Sequence, residues 1–336
     1  MRFGRKMLLL PLLGLLINQL ISQDYQAQID ALKAKSEALY KKMEEAPDKA
    51  AYDAALEEYN QVKAELEALV EKATAAQNSD AQAKIAFNQG GSLLKQKQYA
   101  EAIKQFDKAI EIDPKYGKAY YMKGYALTRL KDYPAAIATY EKVLQIAPND
   151  SKTIFALGKL YEVQGEGKKA IQLYDNAIAA DPTNAKAAYS KGAVYLGWQA
   201  YSEALNAFSQ AASMDSTYSL AYTGWGTALI ELGRVTEAIE KLNKAVALDS
   251  KNDDAFYRLA KAYNAAGDYT EALAASEKAI LLAKSSRSGK AAGQIEKGNA
   301  LEGLGKKAEA KASFERASQL DKKWKEWVDY HIEKMQ

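Results

Sequence analysis

The chain repeats itself with a period of 34 residues, and few architectures accommodate that. Segments beginning at Ala83, Gly117, Ser151, Ala185, Ser219 and Asp253 align column on column. A seventh begins at Ala291, after a four-residue insertion around Arg287–Lys290. The eighth position holds Gly90, Gly124, Gly158, Gly192, Gly226, Ala260 and Gly298. The twentieth is alanine throughout, from Ala102 to Ala310. The twenty-fourth holds Phe106, Tyr140, Tyr174, Phe208, Leu242, Ser276 and Phe314, and the twenty-seventh is alanine except for Val143. Pro114, Pro148 and Pro182 occupy the thirty-second position of the first three units, and Ser216, Ser250, Lys284 and Lys322 that of the others. A unit of this length cannot bury its apolar face alone, so successive units must stack to share a core. The 6 prolines in 336 residues suit long runs of helix.

These columns resemble the tetratricopeptide repeat (TPR) over residues 83–324. The resemblance implies an all-α fold: a right-handed superhelical α-solenoid of about seven TPR helix pairs, at 83–116, 117–150, 151–184, 185–218, 219–252, 253–286 and 291–324. In such a pair, glycine at position eight removes a side chain where helices A and B approach most closely. That gain outweighs the roughly 1 kcal/mol by which glycine weakens a helix. The large residue at position twenty-four fills the space between the helices, and proline at thirty-two ends helix B. Gly165, Gly233, Gly267 and Gly305 mark the A–B turn in four units. Residues 325–336 supply a capping helix, with Trp327, Val328, His331 and Met335 on one stripe that Trp324 begins just ahead of it.

The resemblance also implies a groove lined by positions two, five, nine and twelve of the A helices. Position five carries Phe87, Tyr121, Phe155, Tyr189 and Tyr257, a ladder interrupted by Thr223 and Ile295. Position two carries Lys84, Lys118, Lys152 and Lys186, and position nine adds Tyr125, Lys159, Lys261 and Asn299. An aromatic stripe beside a lysine stripe suits an extended peptide with acidic side chains. The same rings also serve packing between helices, and both readings stand at this stage. Position six (Asn88, Met122, Ala156, Ser190, Gly224, Arg258, Glu296) lacks the paired asparagines of members that clamp a C-terminal carboxylate.

Ahead of the repeats stand two further segments. Arg2, Arg5 and Lys6 precede the apolar run Met7–Leu16, and Asn18, Gln19 and Ser22 turn the sequence polar. This is the plan of a secretory signal peptide over 1–22, cleaved after Ser22. The run falls short of the roughly 20 residues of a membrane-spanning helix; an uncleaved anchor is the alternative. Over 23–79, Tyr25, Ile29, Leu32, Ser36, Leu39 and Met43 follow a 4-3-4-3-4 spacing, as do Ala55, Tyr59, Val62, Leu66 and Leu69 beyond Pro47. Such seams belong to a coiled-coil segment. It can close as a helical hairpin at Pro47 or pair with other copies as a homo-oligomer. The polar stretch Gln77–Asp80 predicts a boundary before the repeats.

Composition narrows the function classes. The net charge is +3, all of it attributable to Arg2, Arg5 and Lys6, so a basic nucleic-acid footprint is absent. No cysteine is present, which removes disulfides, thiolate metal sites and a cysteine nucleophile. His331 is the single histidine, and it falls on the cap, so a serine–histidine–acid triad or a histidine metal site has little to draw on. No phosphate-binding loop occurs. The sequence therefore predicts a non-enzymatic scaffold without cofactor or metal, working in the periplasm or cell envelope on a protein or peptide partner. A glycan such as peptidoglycan, stacked on the exposed rings, is the alternative ligand.

Overall fold

A computed structural model describes residues 23–284 and 286–335; the signal peptide expected over 1–22 lies outside them. The chain divides into two compact units, Met1–Lys142 and Val143–Gln336.

The first unit opens with a hairpin. Helix α1 (Gln23–Glu44) is followed by α2 (Lys49–Lys95), whose N-terminus is capped by Asp48, with its carboxylate accepting from the Ala51 N–H at 2.8 Å. Ile29 packs with Leu66 and Ala73, and Leu39 with Tyr59 and Val62. Rising numbers on one helix thus meet falling numbers on the other, so the pair is antiparallel. The two apolar seams fill each other within the chain, which is the hairpin arrangement of the two left open at Pro47.

The boundary expected at Gln77–Asp80 is not a break. Helix α2 runs unbroken for 47 residues and becomes the first helix of the first repeat. Polar residues of this kind weaken a helix by only a few tenths of a kcal/mol each, and neither glycine nor proline interrupts here. Asp80 also forms an i,i+4 ion pair with Lys84 at 2.6 Å. The rest of this unit comprises α3 (Tyr99–Ile112), α4 (Gly117–Arg129) and most of α5 (Tyr133–Ile146).

The second unit continues the alternation: α6 (Ser151–Val163), α7 (Gly167–Ala180), α8 (Ala185–Gly197), α9 (Tyr201–Met214), α10 (Ser219–Glu231), α11 (Val235–Leu248), α12 (Asp253–Ala266), α13 (Tyr269–Leu282), α14 (Arg287–Gly303) and α15 (Lys307–Leu320). Helix α16 (Lys325–Lys334) closes the described residues. There Val328 is buried with Phe314, and His331 stacks on Trp327 at 4.6 Å between ring centres.

The column logic holds at atomic detail. A methyl group on Gly124 would stand 2.7 Å from the Tyr140 ring, and one on Gly192 2.8 Å from Phe208. Position eight therefore makes room for the side chain at position twenty-four of its own repeat. In the sixth repeat, where glycine gives way to Ala260, the ring gives way to Ser276, and both are fully buried.

Two turn devices were only partly legible. Position fifteen is left-handed in all seven repeats: at Gly165, Gly233, Gly267 and Gly305 as expected, but also at Lys97 (φ 61°), Lys131 (64°) and Gln199 (59°). Helix B ends at position thirty in every repeat, with or without a proline at thirty-two. In five of them the terminator is an aspartate at thirty-one. Asp113, Asp181, Asp215, Asp249 and Asp321 each accept from the backbone N–H two residues on. The hydroxyls of Thr183 and Thr217 donate to Asp181 and Asp215 as well, and these bonds first, then the backbone ones, hold both carboxyls below the ordinary range.

The insertion around Arg287–Lys290 becomes an added first turn of α14. That helix has 17 residues, and Ser286 caps it by accepting from the Gly289 N–H at 3.1 Å. Four residues are close to one helical turn, so the apolar face keeps its phase.

Candidate functional site

In the first unit, Phe87 is half-buried on α2 and Tyr121 half-buried on α4. Phe87 lies 5.8 Å from Phe106 and 5.1 Å from Tyr116; Tyr121 lies 5.5 Å from Tyr140. Position-five rings therefore lean on the position-twenty-four ring of the same repeat, at the spacing of tilted aromatic pairs. Tyr125, one turn further along α4, is 40% exposed. Between α2 and α4 opens a cavity of about 650 Å³, walled by Phe87, Leu94, Met122 and Tyr125. Lys118 is exposed, whereas Lys84 is tied to Asp80 by the in-helix pair that also raises its pKa.

In the second unit the same positions recur with different partners. Phe155 leans on Tyr174 at 5.7 Å, and Tyr189 on Phe208 at 5.5 Å and Tyr218 at 5.4 Å. Lys152 and Lys186 are exposed. Lys159 reaches both oxygens of Glu162 at 2.8 Å, and the Tyr174 hydroxyl donates to the same carboxylate. Burial and that acceptor push the Tyr174 hydroxyl well above its usual pKa. Tyr257 is half-buried, and its pKa is also raised, by burial and then by the charge on Glu296.

The acids were the missed half of this surface. Lys261 pairs with Glu231 at 2.8 Å, and Arg258 with Asp254 at 2.9 Å. Glu296 is buried and accepts from the amides of Asn264 at 2.9 Å and Asn299 at 3.3 Å. Burial raises its pKa. A glutamate at position six with asparagines at nine of its own repeat and twelve of the preceding one was the available signal. Among the described residues, no group of three or more histidines, aspartates or glutamates is arranged to hold a metal ion. No helix among them is long and apolar enough to cross a membrane.

Family models described as tetratricopeptide repeat match residues 64–117, 87–151 and 127–194, and again 253–286 and 292–323; one described as TPR repeat matches 226–267. No curated protein sequence matches the chain. Among solved structures, the C-terminal part of a TPR repeat-containing protein from Cytophaga hutchinsonii is 20% identical, covering 70% of this chain and 95% of that one, with a TM-score of 0.56. PilF of Pseudomonas aeruginosa is 18% identical over 65% of this chain and 97% of its own, at a TM-score of 0.55. A tetratricopeptide repeat protein from Parabacteroides merdae is 17% identical over 76% and 99%, at 0.53. At these identities the likeness is one of fold.

Proposed function

Since the chain belongs to the tetratricopeptide-repeat family, whose members are protein–protein interaction scaffolds, we propose that it holds an extended segment of a partner protein against its A helices. The observation that carries this reading is the cavity between α2 and α4. Phe87 and Tyr125, both expected from the sequence to face a ligand, stand in one wall-lined opening. Lys118, Lys152 and Lys186 add exposed positive charge at position two, which favours acidic segments. The half-buried rings contribute through their exposed edges while their other faces hold the repeats together.

The reading includes a place of work. The basic and then apolar start of the sequence supports export through a secretory signal to the periplasm or cell envelope. N-terminal sequencing of the exported chain tests this: a first residue of Gln23 agrees, and retention of Met1 in the cytosol contradicts.

Photo-crosslinking in cells tests the surface. A crosslinking residue is placed in turn at 118, 152 and 186 on A helices, and at 104 and 311 on exposed faces of B helices. Adducts to a partner protein from the A-helix positions alone are expected. Adducts from 104 and 311 alone move the binding surface to the opposite face and overturn the proposal.

A further inference from the structure

We propose that the cavity between α2 and α4 receives one large apolar side chain of an extended peptide whose neighbouring residue is acidic, and that Gly91 keeps it open. The proposal rests on the scaffold reading above and narrows it to a single subsite.

Two successive glycines lie inside α2, and only one has a packing reason. A methyl group on Gly90 would come 2.5 Å from the Phe106 ring, so that position must stay bare. A methyl group on Gly91 would meet nothing within 4 Å. Gly91 is helical and is absent from the residues with positive φ, so the backbone does not require glycine there either. Glycine in a helix interior weakens the helix, and here nothing in the fold offsets the loss. Any side chain at 91 would project into the cavity, because Gly91 lines it. Position nine of the other six repeats carries Tyr125, Lys159, Ala193, Thr227, Lys261 and Asn299, so the bare position is a feature of the first repeat alone.

The lining states the ligand chemistry. Phe87, Leu94, Met122 and Tyr125 form an apolar wall, and methionine adapts to side chains of different shape. The opening, about 650 Å³ and broadly open to solvent, is wide enough for a leucine- to phenylalanine-sized group to lie against that wall. At the rim, Asn88 and Lys95 are exposed, and Lys95 makes no ion pair among the described residues. An unneutralised ammonium beside an apolar cavity selects an acidic neighbour over a basic one.

The test uses the full chain and fluorescein-labelled hexapeptides blocked at both ends, Gly-Ser-X-Z-Ser-Gly. X is Leu, Phe, Met or Ser, and Z is Glu, Gln or Lys. Fluorescence anisotropy is expected to show peptides with apolar X and Glu at Z binding at least tenfold tighter than those with Ser at X or Lys at Z. Gly91→Leu is expected to weaken the apolar peptides at least tenfold while its melting temperature holds or rises. Gly91→Ala adds a single methyl and gives a smaller loss, keeping the test valid should the leucine variant melt early. Lys95→Glu is expected to invert the preference between Glu and Lys at Z. Unchanged affinity in both Gly91 variants, or an unchanged charge preference in Lys95→Glu, overturns the proposal, as does failure of every peptide to bind. In each of those cases, crosslinks from 118, 152 and 186 leave the broader scaffold reading standing; absence of those crosslinks removes it separately.

Discussion

The third and sixth repeats solve the same helix crossing in opposite ways. In the third, Gly158 is bare so that Tyr174 can fill the crossing; a methyl group there would lie 2.6 Å from the ring. In the sixth, Ala260 carries that methyl and Ser276 supplies almost no volume, its hydroxyl bonding back to the Leu273 carbonyl at 2.8 Å. The consequences reach the end of helix A. The Tyr174 hydroxyl donates to Glu162 at position twelve, which also holds Lys159. The sixth repeat has no ring to occupy position twelve, and Asn264 turns instead to Glu296 of the next repeat. The residue at position twelve is thus met by a ring of its own repeat in the third and by a carboxylate of the next repeat in the sixth.

The largest effect expected from disturbing this contrast comes from Tyr174→Ser. Imposing the small residue without its alanine leaves a buried void, and denaturant unfolding should show a loss of about 3–5 kcal/mol. Next is the reverse transplant. Ser276→Phe alone overpacks against Ala260 and is expected to lose about 1–3 kcal/mol. Ala260→Gly in the same chain should return at least about 1 kcal/mol of that as coupling in a double-mutant cycle. Strict additivity of the two changes would show that the crossing is not the constraint.

A smaller effect separates the turns. Gly165 adopts its left-handed conformation freely, whereas Gln199 does so at φ 59° with a side chain. Left-handed geometry costs such residues about 1–2 kcal/mol, so Gln199→Gly should gain about 1 kcal/mol while Gly165→Ala loses a similar amount.

The smallest effect concerns the carboxylates. Glu296 is buried with a raised pKa, so the folded chain retains its proton where the unfolded chain has released it. Its contribution to stability is full below the unfolded value of about 4.3 and declines as pH rises through the folded one. Glu296→Gln should match the parent in thermal melts at acidic pH and exceed it toward neutrality. Asp181 and Asp215 run the other way. Their pKa values are lowered, so the stability that they lend is present above the unfolded value and is lost as pH falls through the folded one.

The architecture was readable because the constraint at each crossing recurs in phase. Glycine at 90, 124, 158, 192, 226 and 298 announces a close approach whichever large side chain fills it. The turn at Lys97, Lys131 and Gln199 was hidden because a left-handed residue is recognisable only when it is glycine. Proline drew attention from the aspartates that end helix B, since Asp215, Asp249 and Asp321 do the same work without it. The polar run at 77–80 read as a boundary because propensity was weighed without the packing on either side. Of the candidate site, the rings and lysines were legible by position. The acids beside them, Glu162, Glu231 and Glu296, were not, because alternating charges on helices look alike until the repeats are stacked.

The unbroken course of α2 gives the first unit a mechanical property. At 1.5 Å per residue, its 47 residues make a rod of about 70 Å that belongs to the hairpin at one end and to the first repeat at the other. Orientation is therefore set by helical phase and not by a joint. One residue inserted between Gln77 and Asp80 would swing the hairpin about 100° around the rod and advance it about 1.5 Å, leaving both ends folded. The residue count across that stretch acts as an angular setting, fixing the direction in which the hairpin points when the cavity beside Gly91 is occupied.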